Sequence, residues 1–158
     1  MSSMNEAPLL LVEDDPNDVS LIWRAIDKAE LRNPLRVVRD GEQAIDYLAG
    51  RGEYADRNKF PLPALMLLDL KLPRKSGFEV LRWLAEHPEL RSILVVAMSS
   101  CQAQIDIDRA YELGIHSYLV KPRRWEEMVD LVRTLGAYWL RLNSKPNLRS
   151  RLALAAKP

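Results

Sequence analysis

The apolar residues of the chain fall into short unbroken runs that alternate with helically spaced stripes. Leu65-Met66-Leu67-Leu68 is the plainest run, and it leads straight into Asp69 before Leu70-Lys71-Leu72-Pro73 turns away. Such a run predicts a strand buried on both faces, the habit of a parallel sheet covered by helices. Pro8–Val12 is a second run, ending in Glu13-Asp14-Asp15. Leu35–Val38, Ile93–Met98 and Ser117–Val120 complete five predicted strands, the last two closing on Ser99-Ser100 and Lys121-Pro122.

Between the runs the period changes. Asp15-Pro16 is a helix start, an N-cap acid before proline at the first helical position. Val19, Ile22, Trp23 and Ile26 then mark an amphipathic first helix. Asp40-Gly41 breaks the second strand, and Ala44, Ile45 and Leu48 mark a short second helix. Phe78, Leu81, Leu84 and Ala85 mark a third, ended by Pro88. A weakly amphipathic fourth helix is expected over 102–113, closed by Gly114; Ile105 and Ile107 cannot share one stripe. The fifth is the strongest, with Met128, Leu131, Val132, Leu135, Tyr138, Trp139 and Leu142 spaced over about five turns. The stretch 50–63 carries two glycines and two prolines and is the least ordered-looking internal segment. It is read as a long connection into which the second helix can extend. From Asn143 the chain turns polar.

Five strands alternating with five helices predict an α/β fold, one doubly wound parallel sheet. The expected division is an N-terminal extension over 1–7, one domain over 8–142, and a tail over 143–158.

Composition narrows the function classes. At 158 residues the chain suffices for one domain with a full core, and 47% hydrophobic with 28% charged residues is ordinary for a globular protein. A net charge of +1 argues for no particular polyelectrolyte partner. The lone cysteine, Cys101, allows no internal disulfide, and the N-terminus lacks a signal-peptide pattern. No apolar run approaches the roughly 18 residues that span a bilayer. A cytoplasmic protein without membrane or nucleic-acid partners is expected.

The chemistry lies in what ends each strand. Glu13 and Asp14 follow the first, Asp69 the third, Ser99 the fourth and Lys121 the fifth. In a parallel sheet all carboxyl ends lie along one edge, where such folds place their ligand sites. Each residue alone has a plain explanation as a cap, a turn residue or a solvated charge; their joint placement does not. Two carboxylates about 4 Å apart repel by roughly 4 kcal/mol at an effective dielectric near 20. A hard divalent cation with oxygen ligands relieves that cost, and Mg²⁺ typically takes one or two carboxylates plus waters and phosphate oxygens. Asp14 and Asp69 are the candidate direct ligands, with Glu13 acting through water and the Lys71 backbone carbonyl adding an oxygen. Lys121 can pair with Asp69 or with a phosphoryl group placed on it. Ser99 can donate a hydrogen bond to a phosphoryl oxygen.

In these strand-end motifs the chain resembles the receiver domain of bacterial two-component response regulators. Four segments carry the resemblance: Leu9–Asp15, Leu67–Pro73 with Gly77, Val95–Ser100 and Tyr118–Pro122. It extends over roughly 8–142 and implies the flavodoxin-like receiver fold. It further implies that Asp69 accepts a phosphoryl group from the phosphohistidine of a sensor histidine kinase in a Mg²⁺-dependent reaction, with Asp69 as in-line nucleophile and Lys121 assisting. Ser99 and Tyr118 match the family's switch pair, whose movement alters the face made by helix four, strand five and helix five. Beyond self-catalysed phosphotransfer and autodephosphorylation, no enzyme is implied. Leu94 stands where proline is frequent, and Ser99 where threonine is; the hydroxyl is kept. Lys71 and Cys101 occupy positions that modulate phosphoryl lifetime in the family.

The 16 residues after position 142 are too few for a DNA-binding output domain, so a stand-alone receiver is expected. The long connection with Arg51-Gly52-Glu53-Tyr54 and the long last helix are similar to regulators paired with bacterial phytochrome kinases, which makes a bacteriophytochrome the candidate kinase. Trp125, Val129, Tyr138 and Trp139 give helix five more apolar surface than one stripe needs. Core packing explains that surface as readily as a dimer seam does. A homodimer is expected through helix four, strand five and helix five or through the C-terminal extension, with the Leu148–Leu154 tail as a flexible segment or a swapped arm.

Other classes fit less well. An aspartyl-phosphate hydrolase would need a second acid where Lys71 stands. A thiol enzyme would need a base beside Cys101, which is expected to be small and buried or half-buried. Arg123, Arg124, Arg141, Lys145, Arg149 and Arg151 are too sparse for a nucleic-acid face. The remaining alternative is a pseudo-receiver that binds a partner without phosphorylation; the intact acids and Lys121 argue against it.

Overall fold

The computed structural model describes residues 7–142 and Ser144. Five strands, β1 (Leu9–Val12), β2 (Leu35–Val38), β3 (Leu65–Leu68), β4 (Leu94–Ser99) and β5 (Ser117–Val120), form one parallel sheet in the order β2-β1-β3-β4-β5. The helices are α1 (Pro16–Lys28), α2 (Gly41–Ala49), α3 (Gly77–Ala85), α4 (Gln104–Glu112) and α5 (Trp125–Leu135).

The unbroken apolar runs are explained by a core split in two. Successive strand side chains point to opposite faces. Leu10, Val12, Met66, Leu68, Val95 and Ala97 join one cluster with Ala44, Ile45 and Leu48 of α2, Val80 and Leu81 of α3 and Ala110 of α4. Leu9, Leu11, Leu65, Leu67, Val96 and Met98 join the other with Ile22, Ala25 and Ile26 of α1 and Met128, Val129 and Val132 of α5. Both faces are covered, so every strand position in the centre of the sheet must be apolar.

Local signals set the helix starts. Asp15 caps α1, accepting from the Asn17 N–H at 2.8 Å, and Pro16 takes the first helical position. Ser76 and Glu79 form a capping box at α3. Asp40, read from sequence as a breaker, is the N-cap of α2 and accepts from the Gln43 N–H at 2.8 Å. The helix therefore begins at Gly41. A Cβ at that position would run into the Lys75 carbonyl, so glycine lets α2 meet the loop that follows Asp69.

Three expectations need correction. The second helix does not extend into the 50–63 connection: it stops at Ala49, capped by Gly50 at φ +70°. Nor is that connection loosely ordered. Arg57 donates to the carbonyls of Tyr47 and Leu48 at the end of α2, each at 2.7 Å, beside the Gly50 N–H that also reaches the Tyr47 carbonyl at 3.2 Å. Tyr54 and Phe60 of the connection pack their rings against each other and against Tyr47 of α2. Finally, the last helix is not one α-helix to residue 142. α5 gives way at Gly136 to a π-helical stretch, Gly136–Leu142, beginning where Leu31 leaves no room for a Cβ.

The surplus apolar surface of α5 is mostly core. Val129 is buried, and Trp125 and Trp139 pack half-buried against the α1–α5 cluster, while Tyr138 remains 55% exposed. Ile105 on α4 is 77% exposed. The 143–158 tail, Ser144 apart, lies outside the described residues. Among the described residues, no helix is long and apolar enough to cross a membrane.

Candidate functional site

The ladder of the sheet continues one residue past each strand and delivers the site. The Glu13 N–H donates to Val38 O at 3.0 Å, the Asp69 N–H to Val12 O at 3.1 Å, and the Lys121 N–H to Ser99 O at 2.9 Å. Glu13, Asp69 and Lys121 are thus fixed along one edge by main-chain bonds, as the strand-end argument requires. Asp69 is 7% exposed, Glu13 1% and Ser99 0%, while Asp14 faces solvent.

Lys121 is the centre of the arrangement. Its Nζ donates to Glu13 Oε2 at 2.6 Å, Asp18 Oδ2 at 2.9 Å and Asp69 Oδ2 at 3.0 Å. Three N–H bonds meet three carboxylates, so the ammonium is saturated. Burial works against its charge, but the bonds to Glu13 and Asp18 and the nearby Asp69 outweigh burial and raise its pKa above the ordinary value. Glu13 shows the opposite balance. Burial, aided by the negative charge of Asp69 and opposed by Lys121, pushes its carboxyl up to about 7.

Oxygens of Glu13, Asp14 and Asp69 come within 4.8 Å of one another. That all-carboxylate donor set, held partly out of water, suits a hard divalent cation. Burial leads in raising Glu13 and the negative charge of Asp69 adds to it, so a cation beside these oxygens relieves a real repulsion and the residues fit one. The Lys71 N–H donates to Asp69 Oδ1 at 3.1 Å, which keeps the turn carrying the Lys71 carbonyl beside the acid.

Ser99 and Tyr118 also come together, through Cys101. Ser99 Oγ accepts from the Cys101 N–H at 3.2 Å, and the Tyr118 hydroxyl donates to the Cys101 carbonyl at 2.8 Å. Burial raises the Tyr118 phenol above its ordinary pKa. The Cys101 side chain is half-buried, as expected, and donates to Asp106 Oδ2 at 3.2 Å.

All predicted strand-end residues meet at this edge. Asp18 is the one that sequence reasoning missed. An acid in the first turn of α1 reads as a partner of the helix dipole, which conceals its contact with a lysine 103 positions away.

The family profile of the response regulator receiver domain matches residues 9–133. The chain belongs to this family. Response regulator Rcp1 of Synechocystis sp. is 34% identical over 148 residues, 92% of this chain and 99% of that protein. Among solved receivers, the phosphorylated cyanobacterial phytochrome response regulator RcpA superposes with a TM-score of 0.83 at 34% identity, covering 90% of this chain and 99% of that one. The bacteriophytochrome response regulator RtBRR gives 0.71 at 41% identity, covering 94% of each. The Mn²⁺-bound form of Rcp1 gives 0.80 at 33% identity, covering 89% of this chain and 99% of that one. The five-stranded parallel sheet with its helices is the receiver fold.

Proposed function

We propose that the chain is a phosphorylation switch in which Asp69 accepts a phosphoryl group from the phosphohistidine of a sensor histidine kinase. The observation that carries this reading is Asp69 at the sheet edge, backed at 3.0 Å by the Lys121 ammonium and flanked by Glu13 and Asp14. A carboxylate oxygen of Asp69 attacks phosphorus as the phosphorus–nitrogen bond breaks, and the imidazole leaves with the electron pair and takes up a proton. Asp14, Asp69 and the Lys71 carbonyl would hold Mg²⁺, with Glu13 acting through water; the ion supplies neutralisation of charge on the transferring group. Lys121 turns one N–H toward a phosphoryl oxygen, and Ser99 gives its hydroxyl to another. Hydrolysis of the acyl phosphate by water resets the switch.

Output follows from Cys101. When Ser99 turns to the phosphoryl group, its oxygen no longer accepts from the Cys101 N–H in the present geometry. The residue that anchors Tyr118 then shifts, and with it the surface of α4, β5 and α5. Ile105, Tyr111, Val120 and Tyr138 are exposed apolar side chains on or beside these elements, which supports a homodimer seam there. The likeness to RcpA and RtBRR supports a bacteriophytochrome as the kinase.

Transfer from a radiolabelled bacteriophytochrome kinase tests the reading. Label is expected on the wild type with Mg²⁺ and absent from Asp69→Asn. Equal label on Asp69→Asn would move the acceptor elsewhere.

A further inference from the structure

Asp18 holds a position that helix capping does not require. Asp15 already caps α1, and the Asp18 carboxylate reaches instead to the end of β5, 2.9 Å from Lys121 Nζ. The side chain stays 30% exposed, so the contact is not forced by burial.

The three carboxylates around the ammonium are not equivalent. Glu13 and Asp69 belong to the acid cluster suited to a cation; Asp18 does not. On phosphorylation Asp69 stops being a free carboxylate, and Glu13 is shared with the cation site. Of the three, Asp18 is neither the phosphoacceptor nor a member of the cation cluster. A lysine ammonium is a point charge on a flexible four-carbon stem, and one anchor leaves it free to swing.

We infer that Asp18 is a positioning residue that holds Lys121 Nζ at the phosphoryl site while Asp69 changes from carboxylate to acyl phosphate. This rests on the phosphoacceptor reading of Asp69. Because the same lysine contact serves the transition states of phosphorylation and of hydrolysis, its misplacement slows both. A purely structural role for Asp18 would lower thermal stability and leave both rates alone.

The test compares wild type, Asp18→Ala, Asp18→Asn and Asp69→Asn with acetyl phosphate and Mg²⁺, following the adduct by intact mass. In Asp18→Ala the rate constant at saturating donor is expected to fall about tenfold, inside the hundredfold that an ångström of misplacement can cost. Half-saturating donor and Mg²⁺ concentrations should stay near those of wild type, and the phosphoryl lifetime should lengthen by a similar factor. Asn, which keeps an oxygen acceptor in place, should restore most of the rate. In the metal-free protein, acetic anhydride should label the Lys121 amine faster in Asp18→Ala than in wild type. A wild-type rate constant in folded Asp18→Ala, or a loss confined to half-saturation, overturns the proposal. Wild type without any adduct overturns the phosphoacceptor reading as well, and differs from the first result because the unmutated protein itself fails.

Discussion

The Tyr118 hydroxyl donates to the Cys101 carbonyl at 2.8 Å, while the N–H of the same residue is held by Ser99. One residue thus binds both Ser99 and Tyr118, and the proposed switch would act through the β4–α4 loop. Tyr118→Phe removes the hydroxyl but keeps the ring. Stability to urea should fall by about 1 kcal/mol, the net worth of one such bond. Phosphorylation of Asp69 should proceed at the wild-type rate, but the change in self-association on phosphorylation should shrink. Sedimentation of both forms checks this.

Gly41 lets α2 touch the loop after Asp69, where a Cβ would meet the Lys75 carbonyl. Backbone cannot yield as a flexible side chain can. Gly41→Ala should cost about 1–3 kcal/mol, the range for overpacking. It should also weaken divalent cation affinity, because the displaced loop carries Lys71. Titration calorimetry alongside urea unfolding separates the two effects.

Arg57→Ala should cost about 2 kcal/mol, since two charge-assisted bonds to Tyr47 and Leu48 carbonyls are lost. The phosphorylation rate should not change, because the connection lies away from the acid pocket. Hydrogen exchange should rise across 50–63 and little elsewhere.

The sheet and its acid edge were legible in the sequence because both follow from local rules. Unbroken apolar runs demanded two covered faces, and the residue after each run had to sit on one edge. What escaped notice depends on contacts between distant positions. Gly50, Gly52, Pro61 and Pro63 suggest a loose connection until Arg57 is seen to satisfy the end of α2. The stripe from Met128 to Trp139 suits an α-helix, and only the approach of Leu31 to Gly136 marks where the π-helical stretch begins. Asp18 has a sufficient local explanation, and that hid the nonlocal one.

Glu13 gives a pH signature. Its carboxyl is pushed up to about 7 from an ordinary 4.5, chiefly by burial. The folded state therefore holds this proton more tightly than the unfolded chain does. The stability it contributes is complete below 4.5 and is lost as pH rises through about 7. Glu13→Gln lacks that loss. With divalent ions chelated, the variant should gain on wild type as pH rises across this window, and the difference should stop changing above it. A difference independent of pH would count against the balance described at Glu13.

Intact mass after incubation with acetyl phosphate is the most direct test of the central claim. Run with Mg²⁺, with chelator, and on Asp69→Asn, it should give a single phosphoryl adduct only when both the ion and Asp69 are present. A folded wild-type protein that gains no adduct under any condition, or an adduct that survives Asp69→Asn, would contradict it.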